Sequence, residues 1–101
     1  MNIQIRGIGI PPTASLTAHI ERRIAFSLSR FSAQLERIVV RFSDLNGPKG
    51  GSDKVCRVGF TVKGLGPEAV EARDADLYFA VDQAAEKAGR RVARMLEQAK
   101  A

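Results

Sequence analysis

The chain reads as an α+β domain in the order β-α-β-β-β-α, a four-stranded mixed sheet with two helices packed on one face. Two observations predict it. Apolar residues recur at helical spacing in two long stretches, one near each end, and short β-branched runs between glycine and proline breaks supply the strands. At 101 residues the chain is one domain, 1–101, with room for a single core.

Ile3, Ile5 and Ile8, separated by polar residues, form the first strand, and Pro11 and Pro12 end it. Leu16, Ile20, Ile24, Leu28, Phe31 and Leu35 step by three or four, which predicts a helix from about Thr13 to Leu35. The β-branched and aromatic run Ile38 to Phe42 is the second strand, and the glycine-rich stretch NGPKGGSD breaks the chain after it. In the third strand, about Val55 to Lys63, Cys56, Val58, Phe60 and Val62 face one way and Arg57, Gly59, Thr61 and Lys63 the other, so one face is covered and one is wet. Gly64 to Pro67 is a turn, Glu68 to Arg73 a fourth strand, and Asp74 or Asp76 caps the final helix. That helix carries a stripe of Leu77, Val81, Ala84, Ala88, Val92 and Met95. A right-handed crossover through the first helix makes the first two strands parallel, and the tight connections that follow make an antiparallel meander.

Charge is distributed less evenly than the apolar residues. Sixteen Lys and Arg stand against eleven Asp and Glu, a net charge of +5. At about 100° per residue, Lys87, Arg90, Arg91 and Arg94 gather on one flank of the last stripe while Asp82, Glu86 and Glu97 fall on the other. The first helical pattern repeats this, with Arg22, Arg23, Arg30 and Arg37 on one side and Glu21 and Glu36 opposite. Solvated helices usually interleave signs to gain pairs three or four residues apart. Segregation therefore points to a polyanion docked on the basic flanks, with a basic but idle surface as the alternative reading.

Other chemistries find little support. No apolar run approaches the roughly 20 residues of a spanning helix, and the first residues lack the pattern of a signal peptide, so a cytoplasmic protein without a membrane partner is expected. A lone cysteine, Cys56, rules out an internal disulfide and a multi-cysteine zinc site, and its place in the alternation makes it a core residue. The single histidine, His19, has no partners for a metal or a catalytic set and is expected on an exposed helix surface. The loop containing Lys49 and Lys54 lacks the spacing of a nucleotide loop and reads as a hairpin connection, with non-specific phosphate contacts as the other possibility. No catalytic residues, metal ligands, cofactor or small-molecule substrate are implied.

Taken in order, Asp44-Leu45-Asn46-Gly47-Pro48-Lys49-Gly50-Gly51 with Asp53-Lys54 and Cys56, then Asp76-Leu77-Tyr78, Ala80-Val81-Asp82, Lys87, Arg90 and Arg94, resemble the ribosome hibernation-promoting factors. These are also called ribosome-associated translation inhibitors, and formerly sigma factor modulation proteins. The resemblance spans nearly the whole chain. It implies a shape similar to double-stranded RNA-binding domains and binding to small-subunit ribosomal RNA between head and body, where messenger and transfer RNA sit. The family's RNA-contacting positions fall on Arg23, Lys87, Arg90 and Arg94; Arg22, Arg30 and Arg91 join them from helical geometry alone. Thr17 and Phe26 depart from the family, which is often basic there. Without the carboxy-terminal dimerisation domain of long members, the chain resembles the short form. The resemblance thus implies a non-enzymatic, stress-related inhibitor acting by occlusion. A general double-stranded RNA-binding module and a protein-interaction regulator of transcription are the alternatives.

Overall fold

A computed structural model describes residues 1–45 and 53–100. The element order is the expected one: β1 (Ile3–Ile8), α1 (Ala14–Leu28), a 3-10 turn (Ser29–Phe31), β2 (Leu35–Asp44), β3 (Lys54–Val62), β4 (Gly66–Asp74) and α2 (Leu77–Lys100). The strands lie in the order β1-β2-β3-β4, with β1 parallel to β2 and the remaining pairs antiparallel. The parallel β1–β2 pair and the antiparallel meander are as the sequence predicts.

The first helix begins where expected. Thr13 caps it, its hydroxyl oxygen accepting from the Leu16 backbone N–H at 3.1 Å. Its end is earlier than expected. α1 stops at Leu28 and tightens into the 3-10 turn, where Ser32 N–H donates to Ser29 O at 3.0 Å. Leu35 is buried, but as the first residue of β2 rather than the last of a helix. Spacing of three or four from Leu28 through Phe31 to Leu35 therefore imitates a helix while the chain turns a corner and meets the same core from a strand. One consequence is that Arg37 leaves the α1 flank. It lies on β2, opposite Thr61 of β3.

Ile20, Ile24 and Leu28 of α1 meet Ile38, Val40, Phe42, Cys56, Val58 and Val62 of the sheet and Val81 and Val92 of α2 in one cluster. Cys56 is fully buried there, and burial pushes its thiol up from 9.0 to about 12. On α2 the apolar surface is wider than the expected stripe. Ala80, Ala85 and Gly89 are also buried, because α2 packs on α1 as well as on the sheet. A Cβ on Gly89 would lie 3.0 Å from the Ser27 carbonyl oxygen, so the small residues Ala85 and Gly89 set how closely the helices approach.

α2 is capped by Asp76, whose carboxylate accepts from Tyr78 N–H at 2.9 Å. β4 begins at Gly66, earlier than the sequence reading, and Pro67 is tolerated because β4 is an edge strand. Near the other end of the hairpin, Lys54 pairs with Asp44 at 3.0 Å; that hydrogen bond raises the Lys54 pKa, and Asp53 adds to it. Most of the glycine-rich loop, including Lys49, lies outside the described residues.

Candidate nucleic-acid interface

Positioning of the seven expected RNA-binding residues follows from the two helices. Lys87, Arg90, Arg91 and Arg94 line a groove of about 410 Å³ between α2 and β4, floored by Ala69 and Val70. Lys87 donates to the backbone carbonyl of Glu71 at 3.0 Å, and Arg91 pairs with Glu68 at 2.7 Å. These contacts bend two cations toward the sheet edge. Arg94 is exposed, and among the described residues it has no ion-pair partner.

Arg90 faces both ways. It also borders a second groove, about 360 Å³, with Phe26, Ser27, Arg30, Glu86 and Gly89 between the two helices. There it meets Glu86 at 2.6 Å, four residues before it. The expected segregation of charge on α2 is therefore incomplete: Glu86 belongs beside Arg90 rather than on the far flank. Such exposed pairs contribute only about 0.3–0.5 kcal/mol, so Glu86 orients Arg90 more than it stabilises the helix.

On α1 and the 3-10 turn that follows it the expected cations divide. Arg22 is exposed. Arg30 lies with its guanidinium 4.5 Å from the centre of the Phe31 ring. Arg23 is half-buried, its Nε 3.1 Å from Asp82 Oδ1 of α2, in a direction that makes an ion pair without a hydrogen bond. His19 shares the same carboxylate oxygen at 2.7 Å. The sequence reading put His19 on an exposed surface; the structure corrects this, because the helix-helix contact brings Asp82 over it. Tyr78 completes the cluster, edge-on to His19 at 5.0 Å and donating to Ser15 Oγ at 2.9 Å. Part of Arg23's charge is thereby spent on joining the helices.

Two features escaped the sequence reading. Phe26 is 82% exposed, standing between the basic residues of α1 and α2 with Arg23 over its ring at 5.7 Å. An exposed aromatic among cations can stack on an unpaired base. The second is a set of arginines on the uncovered sheet face, for which the alternation of the strands was the available signal. Among the described residues no cluster of His, Cys, Asp and Glu could hold a metal ion. No helix among them is long and apolar enough to cross a membrane.

Residues 3–100 match a family model described as Sigma 54 modulation protein / S30EA ribosomal protein. Among solved structures, the N-terminal domain of Thermus thermophilus Protein Y is similar, with 30% identity and a TM-score of 0.76 over 94% of this chain and 99% of that one. A ribosomal subunit interface protein from Coxiella burnetii shares the fold at 20% identity, with a TM-score of 0.78 over 96% of this chain and 99% of that one. No curated protein matches the sequence.

Proposed function

The chain belongs to the sigma 54 modulation protein / S30EA ribosomal protein family, and on that premise we propose that its helix face binds small-subunit ribosomal RNA in the decoding channel. Membership makes it a ribosome-associated regulator of translation. The finer reading is that it excludes transfer and messenger RNA by filling the volume they require. The observation that carries this reading is the row of Lys87, Arg90, Arg91 and Arg94 on one rigid helix, bordering the groove over β4. Guanidinium groups present paired N–H donors that match phosphate oxygens, and among the described residues Arg94 has no ion-pair partner to leave. Arg90 and Arg91 would exchange exposed carboxylates for phosphates, a modest loss because exposed pairs are weak. Arg22 and Arg30 extend the same field along α1. No group on the chain need react; binding alone inhibits.

Competition on purified small subunits tests this. Binding of the protein should decline as initiator transfer RNA, messenger and initiation factors are added, and translation in a purified system should fall as the protein is added. Replacing Arg23, Lys87, Arg90 and Arg94 together with glutamine should weaken binding at least about tenfold, since each lost contact contributes roughly 0.5–1.5 kcal/mol. The slope of log affinity against log salt should become shallower by about 3 to 4. Tight binding to ribosomes that leaves transfer RNA occupancy and translation unchanged would exclude occlusion.

A further inference from the structure

The face of the sheet that the helices leave open carries its own charge pattern. Strand register sets Arg6 of β1 opposite Arg41 of β2, and Arg41 opposite Arg57 of β3. Three arginines thus stand side by side across three adjacent strands. Arg37 lies on the same face two residues from Val39, and Arg73 on β4. Glu71 is the one carboxylate that the registers assign to this face among the described residues, and Arg57 and Arg73 share it at 3.6 and 3.7 Å. Like charges directly opposite one another destabilise a sheet. Nothing within the described residues offsets that cost for Arg41.

Two members of the row, Arg6 and Arg41, border a trough. Its floor is Val39 opposite Gly59, with Thr61, Pro67 and Glu68 toward one end, and Arg37 stands on its other side. The depression holds about 270 Å³. Gly59 at its centre has no structural need to be glycine. Its φ is not positive, and a Cβ there would come no nearer than 3.8 Å to the Val39 carbonyl oxygen. Glycine weakens a strand interior, and where the fold does not demand it, it marks a place where another chain approaches the backbone.

We propose that this open face is a second RNA-binding surface, on which Arg6, Arg41, Arg57 and Arg37 contact the phosphates of an RNA segment lying across Val39 and Gly59. The cations of the row are arginines, the side chain whose fork fits phosphate oxygens in pairs. Charge of one sign repeated from strand to strand suits a polyanion, whose phosphates repeat along one backbone. With α1 and α2 on the far side of the sheet, the domain is then held between two RNA segments. This surface is separate from the helix face and stands or falls independently of it.

Two variants of the full chain test it, with a mixed-sequence single-stranded RNA and purified small subunits as probes. Replacing Arg6, Arg41 and Arg57 with glutamine should weaken binding to both probes at least tenfold and make the salt slope for the single strand shallower by about 2. A control with Lys100→Gln, at the end of α2 and away from the arginine row, should lose far less. Gly59→Thr adds a strand-favouring side chain whose Cβ meets the Val39 and Glu68 carbonyl oxygens only at ordinary contact distances of 3.8 and 4.0 Å. It should melt at or above the wild-type temperature while binding the RNA at least threefold more weakly. Wild-type affinity and salt slope in the arginine variant would overturn the proposal, as would unchanged RNA binding by a folded Gly59→Thr protein. Capture of an acidic protein by this face, with no RNA bound there, would overturn it too. Because the helix-face glutamine variant is measured alongside, failure of one surface is distinguishable from failure of the other.

Discussion

On the helix side of the sheet three of the seven expected cations are held by a carboxylate: Arg23 meets Asp82, Arg90 meets Glu86 and Arg91 meets Glu68. On the open side Arg57 and Arg73 share Glu71, and the register sets Arg41 between Arg6 and Arg57. Partnered cations are held in a direction, so less side-chain freedom is lost when a phosphate replaces the carboxylate. Crowded cations are less well aimed, but their fields add, and they attract a polyanion from further away. One side is built for geometry and the other for field strength. The two should therefore respond differently to changes in packing and in salt.

The largest expected difference comes from the helix contact. Gly89→Leu forces a side chain against Ser27, where even a Cβ sits 3.0 Å from the carbonyl oxygen. Overpacking of this kind costs about 1–3 kcal/mol, and the helices must spread to accommodate it. Chemical denaturation should register the loss. Ribosome binding through α1 and α2 should weaken in the same variant, because Arg90 and Phe26 border the groove that spreads. Affinity for single-stranded RNA through the open sheet face should hardly change. Equal losses on both faces would mean that they are not separate surfaces.

Much of this was legible in the sequence, and the misses have physical causes. Alternation in β3 gave the right face for Cys56, Val58, Phe60 and Val62, because a half-covered strand admits one register for its apolar set. Spacing draws the stripe of α2 too narrow, since it does not show that a helix is covered on two sides, as α2 is at Ala85 and Gly89. Leu35 reads as helical from sequence because its spacing from Phe31 suits a helix as well as it suits the start of β2. His19 was placed on the surface because its partner, Asp82, lies 63 residues away. The cations of the helix face were legible from spacing. Their partners Glu68 and Asp82 were not, being contacts between elements. The arginine row on the open face required knowing which strands are neighbours and in what register.

A middle-sized effect should strike both faces together. Cys56 sits on the core side of β3, opposite Phe42 and Ala72, and its thiol titrates near 12 when folded against 9.0 for an ordinary thiol. The raised value means that the folded state keeps the proton while the unfolded chain releases it above pH 9. Stability from this group is full below that pH and declines as pH rises toward 12, by about 1.4 kcal/mol per pH unit. Unfolding measured at pH 8 and pH 10 should show that decline, and Cys56→Ala should remove it. Alkylation of the native thiol at pH 8 should be slow compared with the unfolded chain. A thiol that reacts at the same rate in both would show that the shared core opens readily.

The smallest effect tests the comparison by sign. Arg41→Gln removes the middle charge from the row on the open face and should raise stability at low salt, since relief of like charges on neighbouring strands is worth about 0.2–1 kcal/mol. Arg90→Gln removes one partner of an exposed pair and should lower stability by about 0.3–0.5 kcal/mol. Both differences should shrink in roughly molar salt, where screening shortens to a few ångströms. Urea unfolding of the two variants at low and high salt measures this. Stability falling in both variants at low salt would mean that Arg41 already has a compensating partner within the fold. The open face would then carry no unrelieved repulsion, and field strength would no longer distinguish it from the helix side. A rise for Arg41→Gln beside a fall for Arg90→Gln would mark Arg41 as a residue that the fold keeps at a cost, to which binding of an anion supplies the missing counter-charge.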